Sequence, residues 1–199
     1  MNPKSKLLIF EGIDNIGKDT VINELKKEFK CKVIHFSSPE KFCKISTLCG
    51  LNVKEIQLLQ FETKLKEACI YLESGKYAYV ILNRSHIGEY VYSPLYRKSS
   101  GNWVFDLFEH QFKSILHDAI YILLTTSNFE FNIQNDDGLS HTNTIYSKQI
   151  EQAKFLETLE KTLITNKYII DTYDASTETW VNLQSIVNQL KIYFNECNR

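Results

Sequence analysis

The sequence predicts a three-layer α/β fold, a five-stranded parallel sheet with helices on both faces. Three observations carry that prediction. Short apolar runs alternate with stretches of helical spacing along the whole chain. The runs are almost continuously apolar, as strands covered on both sides must be. The first run stops at Gly12, and Gly17-Lys18 then opens a helical stretch, so the chain begins with a strand, a glycine turn and a helix.

Taken in order, the predicted strands are Lys6–Phe10, Lys32–Phe36, Tyr77–Leu82, Ala119–Leu124 and Lys167–Asp171. The predicted helices between and after them are Lys18–Phe29, Val53–Ser74, Trp103–Leu116, Ile145–Thr165 and Thr177–Phe194. In Val53–Ser74 the residues Ile56, Leu59, Leu65, Cys69 and Leu72 recur mostly three or four apart, which predicts a buried helical stripe, and Ser74-Gly75 ends the helix. Thr125–Thr144 breaks the pattern: it is polar, with Asp136-Asp137-Gly138 at its centre. Loops of that length in compact domains are usually lids or binding loops, so residues 125–148 are read as a lid segment.

The composition narrows the function classes. A chain of 199 residues with 43% hydrophobic and 24% charged residues is read as one globular domain spanning 1–199. Its formal net charge of −1 gives no basic field for a nucleic-acid partner. No apolar stretch approaches the roughly 20 residues that span a bilayer, so no membrane association is expected. The five cysteines are read as reduced thiols of a cytoplasmic protein, with Cys43 and Cys49 lacking the partner pair a metal site would need. Arg84, Arg97 and Arg199 are the only arginines.

Gly12-Ile-Asp-Asn-Ile-Gly17-Lys18 carries the strongest chemical signal. Glycines at both ends let the backbone turn successive N–H groups inward, the following helix adds its positive end, and Lys18 adds a full charge. That arrangement binds phosphate. Asp19 stands where a hydroxyl normally ligates magnesium, and a carboxylate can also ligate that ion directly or through water. Thr20 projects about 100° away from Asp19 on a helix and cannot replace it.

From residue 7 onward the chain resembles the thymidylate kinase group of P-loop nucleoside monophosphate kinases. The resemblance rests on FEGIDNIGKDT (10–20), NRSHIGEYVY (83–92) and IIDTYDASTETW (169–180), joined by LLQFETKLKEACIYLESGKYAYVILNR (58–84). It implies that Gly12 to Lys18, including Asn15, Ile16 and Gly17, hold the phosphates of ATP, with Asp19 and Thr20 beside them at the helix start. It further implies that Asp14 faces the acceptor's 3′-hydroxyl and that Arg84 binds the acceptor's phosphate. Tyr92 would line the acceptor pocket. Phe61 would face the base, Lys64 stands where the family has an arginine, and Asp171-Thr172 leads to the loop beside adenine.

Several positions depart from the family. Asn83 replaces an aspartate that helps to order metal-bound water, and Asp19 would restore the lost charge on the same Mg²⁺. Asn15 occupies a loop position that often holds a catalytic arginine, and no arginine lies between Thr125 and Asn166. The catalytic charge would then come from Lys18, Arg84 and Mg²⁺, with Lys148 or Arg97. His86, alone in a loop, is read as solvated.

The expected activity is transfer of the γ-phosphoryl group of MgATP to a deoxynucleoside monophosphate, a thymidylate-like pyrimidine, by a chain that pairs as a homodimer. Two alternatives stand beside it: a kinase of a nucleoside or a modified DNA base, and a nucleotide-binding relic acting by contact, which Asp19, Asn83 and the missing lid arginine favour.

Overall fold

The computed structural model describes residues 5–36, 52–136, 138, 140 and 143–197. Strands β1 (Lys6–Glu11), β2 (Cys31–His35), β3 (Tyr79–Asn83), β4 (Ile120–Thr125) and β5 (Asn166–Asp171) form one sheet in the order β2-β3-β1-β4-β5. Every pairing in that sheet is parallel, which brings all five carboxyl ends to one edge. The residues ending the strands are all polar: Glu11, His35, Asn83, Thr125 and Asp171. In open parallel sheets that edge is where ligands bind.

The apolar runs behave as their patterns require. β1, β3 and β4 are almost wholly buried, and Leu8, Ile9, Phe10, Ile81 and Leu123 have essentially no exposed surface. The outer strands β2 and β5 are only partly covered, and Ile169 is 49% exposed. Their apolar character therefore reflects one packed face, not two.

Helices flank the sheet: α1 (Lys18–Glu28), α2 (Val53–Glu73), α3 (Ile87–Tyr96), α4 (Lys113–Leu116), α5 (Phe129–Gln134), α6 (Ile145–Lys161) and α7 (Leu183–Glu196). α1 packs on α7, and α3 packs on α6. α2 starts at a capping box, with Asn52 Oδ1 accepting from the Glu55 amide and Glu55 returning the bond to the Asn52 amide. α6 starts the same way at Thr144 and Ser147.

Four sequence expectations need correction. The buried stripe of α2 is Ile56, Gln57, Gln60, Phe61, Leu65 and Ala68, and Leu59 is 58% exposed; of the two buried glutamines, Gln57 donates its side-chain N–H to Glu89 of α3 at 3.2 Å. Residues 103–116 do not form one α-helix but a π-helical turn (Val104–Glu109) followed by the short α4. The last helix begins at Leu183, because Tyr173–Asp174 and Thr179–Trp180 pair as a small antiparallel hairpin, β6 and β7. Finally, α3 is a helix that the sequence analysis does not predict, hidden by Gly88, Pro94 and its aromatic run; Pro94 lies inside it and forgoes one backbone hydrogen bond near its end.

Cys31, Cys69 and Cys197 carry free thiols, while Cys43 and Cys49 lie outside the described residues. Among the described residues no helix is long and apolar enough to cross a membrane.

Candidate active site

The turn between β1 and α1 is built on three positive-φ residues: Gly12 at 141°, Asn15 at 58° and Gly17 at 86°. A Cβ on Gly12 would stand 2.4 Å from the Leu124 carbonyl oxygen, so only glycine allows β1 to turn this close to β4. Positive-φ residues set among residues of ordinary conformation curl the backbone, the kind of turn that can point N–H groups inward as an anion nest. Gly17, left-handed, is also the N-cap of α1, so the helix's positive end faces the same space.

Lys18 is buried, and its ammonium donates to the carbonyls of Gly12 at 2.8 Å and Ile13 at 2.7 Å. Burial, and then the charge of Arg84, lower its pKa from 10.5 to about 7 against the opposing carboxylates of Asp14, Glu11 and Asp19. The loop thus holds its own lysine folded against the turn.

One cleft of about 330 Å³ opens over this loop, lined by residues 14–20 together with His35, Phe36, Asn83, Arg84 and Ser140. The structure therefore brings the predicted loop residues Asp14 to Lys18, with Asp19 and Thr20, to one space with Arg84, while Gly12 and Ile13 do not line it. Arg84 follows β3 in a left-handed conformation at φ 67°, unusual for a residue with a side chain and common where a site fixes the backbone. Its guanidinium pairs with the Asp14 carboxylate. Burial raises the Asp14 pKa, but Arg84, Lys18 and Lys148 outweigh it and hold the carboxyl below its ordinary range. Burial and the nearby carboxylate of Asp14 push the Tyr92 phenol well up, against the charge of Arg84, which places its hydroxyl in the same electrostatic cluster.

On the cleft's other wall, Asn83 donates its side-chain N–H to Asp19 Oδ1 at 2.6 Å, and the same nitrogen lies 3.4 Å from His35 Nδ1. These groups suit a hard divalent cation: an exposed carboxylate at a helix start, a neighbouring amide and the open cleft. Among the described residues no cluster of three or more His, Cys, Asp or Glu could hold a metal unaided, so phosphate oxygens would have to complete the shell.

The segment read as a lid is stitched to the phosphate loop. Asn15 Nδ2 donates to the Asn135 carbonyl at 2.5 Å and the Asn132 carbonyl at 3.3 Å, and Asn132 Nδ2 donates back to the Asn15 carbonyl at 2.9 Å. Lys148, fully buried in the first turn of α6, donates to Ser140 Oγ at 3.0 Å and the Asp14 carbonyl at 3.3 Å, and pairs with Asp136 at 3.4 Å.

Other predicted residues lie elsewhere. Arg97 caps the end of α3 and pairs with buried Glu89, which also accepts from Gln57 Nε2 at 3.2 Å; it does not line the cleft. Lys64 pairs with Glu67 on its own helix at 3.1 Å, because the next turn offers the nearest carboxylate. Phe61 is buried, stacked on Trp103 with ring centroids 6.0 Å apart and in contact with Phe36, which does reach the cleft. His86 is not solvated: it is buried, 2.8 Å from Glu109 Oε1. Asp171 accepts from the amides of Ser127 and Tyr173 and so shapes the turn after β5.

A second cleft of about 330 Å³ lies across the loop, lined by Asn15, Ile16, Gly17, Thr20 and Val21 on one side and Thr172, Trp180, Val181 and Leu183 on the other. Sequence reasoning missed His35, although its place at the end of a predicted strand was a usable signal. It also missed Asn132, Asn135 and Ser140, for which no motif exists.

Solved structures share this architecture over nearly its whole length. The YorR protein of Bacillus subtilis, in complex with phosphorylated GDP, matches with a TM-score of 0.60 and 20% identity over 96% of this chain and 98% of that one. Thymidylate kinase of Candida albicans matches with a TM-score of 0.61 and 16% identity over 98% of this chain and 94% of that one. Deoxyadenosine kinase of M. mycoides, with bound dATP, matches at 0.55 and 14% identity over 94% and 99%. No family model and no curated protein sequence matches the chain. At these identities the likeness is one of fold: the chain folds as these P-loop kinases do.

Proposed function

We propose that the chain is an ATP-dependent kinase that transfers the γ-phosphoryl group to the phosphate of a (deoxy)nucleoside monophosphate, a thymidylate-like pyrimidine. The observation that carries this reading is that two cationic groups, Lys18 in its loop and Arg84 after β3, line one cleft. A donor triphosphate and an anionic acceptor meet in that arrangement with their charges countered from both ends.

The donor's phosphates would lie in the nest of residues 12–18, with Lys18 turning from the carbonyls it now holds to the terminal oxygens. The adenine would enter the second cleft, between the loop and Thr172, Trp180 and Val181. Arg84 would release Asp14 and take the acceptor's phosphate, leaving Asp14 to accept from a sugar hydroxyl. The bond from the γ-phosphorus to the β,γ-bridging oxygen breaks, an acceptor phosphate oxygen forms the new one, and ADP leaves. The attacking oxygen is already anionic, so no general base is required. Asp19, with Asn83, would hold Mg²⁺, which when bound neutralises phosphate charge and fixes the donor's geometry.

Lys148 is the best-placed substitute for the missing lid arginine, because it ties Asp136 and Ser140 to the Asp14 carbonyl from a fully buried position. Leu59 and Ile70, eleven residues apart and so on one side of α2, are exposed and suit pairing with a second copy.

A second reading has one specific support. Arg84 is already neutralised by Asp14, which suits an uncharged acceptor such as a nucleoside. Incubation with radiolabelled ATP and a panel of nucleoside monophosphates and nucleosides decides between them. Label on monophosphates alone supports the first reading, label on nucleosides alone the second, and label on neither defeats both.

A further inference from the structure

We propose that His35 supplies an imidazole nitrogen to the divalent cation that accompanies the nucleotide, beside the Asp19 carboxylate, and that the site therefore prefers manganese or cobalt to magnesium. The inference rests on reading the Gly12–Lys18 loop as a nucleotide site.

His35 ends β2, Asn83 ends β3, and the two are register partners, so their side chains reach the cleft at the same level. Asn83 presents its amide nitrogen to the Asp19 carboxylate, which fixes the orientation of the amide. That nitrogen has hydrogens and no lone pair to offer. His35 Nδ1, 3.4 Å away, therefore faces it with its own lone pair, and the ring proton belongs on Nε2. A carboxylate oxygen and an imidazole lone pair thus converge on one small electropositive group. A cation asks for the same arrangement, and Asn83 offers its carbonyl oxygen once its amide rotates. All three side chains line the cleft over the phosphate loop.

The donor set decides the metal. Magnesium keeps to oxygen ligands and retained waters. An imidazole nitrogen raises affinity for first-row transition ions, which rise from manganese through cobalt along the usual order. His35 is exposed and has no role in the core, so its replacement leaves the fold intact.

Pulsed electron paramagnetic resonance on the full chain with Mn²⁺ and ADP tests this directly. Manganese bound to wild-type protein should show nitrogen coupling that changes on [¹⁵N]histidine labelling and is absent from His35→Ala. Competition between Mn²⁺ and Mg²⁺, read from the free-manganese signal, should show a manganese preference that falls about 10-fold or more in the variant. Manganese–ADP bound without histidine coupling, or an unchanged preference in His35→Ala, overturns the inference while leaving the nucleotide site standing. Failure of wild-type protein to retain ADP at all overturns both.

Discussion

Asn83 Nδ2 donates to Asp19 Oδ1 at 2.6 Å across 64 residues of sequence. Set against the thymidylate kinase pattern that the sequence resembles, the strand end carries an amide in place of a carboxylate and the helix start carries a carboxylate in place of a hydroxyl. The touching pair thus holds one negative charge in one place. Asp19→Ser alone should lower phosphoryl transfer about 10- to 100-fold, and Asn83→Asp alone should weaken nucleotide binding by setting two carboxylates together. The double variant should recover most of both, with a coupling energy of about 1–3 kcal/mol. Steady-state kinetics and calorimetric ADP binding on the four proteins measure it; additive losses would remove the exchange as an explanation.

Lys18 makes binding proton-linked. Its pKa in the free protein is about 7, so above that value it is mostly neutral, and a bound phosphate restores its charge. Nucleotide binding should take up about one proton at pH 8 and almost none at pH 5.5. Calorimetry in buffers of different ionisation enthalpy counts those protons; equal counts at both pH values contradict the assignment.

Arg84 should matter far more for the reaction than for ADP. Arg84→Lys keeps a charge but loses the planar fork that grips phosphate. Loss of the side chain in Arg84→Ala should lower kcat/KM for the acceptor by about 10³-fold, with ADP affinity changed little. An equal loss in ADP affinity would place Arg84 on the donor side.

Lys148→Met removes the ammonium that joins Asp136 and Ser140 to the Asp14 carbonyl. The expected loss is about 10²-fold in kcat, accompanied by faster amide exchange in residues 132–136. Slower turnover without any change in exchange would make Lys148 a charge donor only.

Glu109 is the stability prediction. Its carboxylate meets His86 and the Thr162 hydroxyl at 2.6 Å, both buried, and the part-buried Leu163 amide at 2.8 Å. Burial pushes its pKa up, but His86 and these donors outweigh it and hold the value below 4.5. The folded-state pKa is depressed, so the stabilisation is present above 4.5 and is lost as pH falls through the lower folded value. Glu109→Gln should cost about 3 kcal/mol at pH 7, and the gap to wild type should narrow below pH 4. Urea melts at pH 7 and pH 3.5 check both parts.

The readings that held share a physical property: each depends on neighbours in sequence. Gly12 and Gly17 carry positive φ for reasons internal to their own turn, and a strand covered on both faces must be apolar wherever it stands. Readings that required a partner were weaker. Leu59 fits a helical stripe yet is exposed, because the direction of the stripe depends on where α2 lies against the sheet. Arg97 stands at the end of the segment leading out of the expected acceptor region, yet Glu89, on the helix that Arg97 caps, pairs with it. His86 was read as solvated because its partner, Glu109, stands 23 residues on in the π-helical turn.

By itself, then, the sequence determined the sheet's five strands, the glycine-bounded turn from Gly12 to Lys18 and the presence of an arginine after the third strand. Only the tertiary structure decided which polar side chains share the cleft. The parallel register of β2 with β3 places His35 beside Asn83, and the turn from β1 into α1 brings Asp19 to the same amide. Strand register and helix docking are set by packing over the whole sheet, and no local pattern encodes a contact that the chain makes only after it has closed.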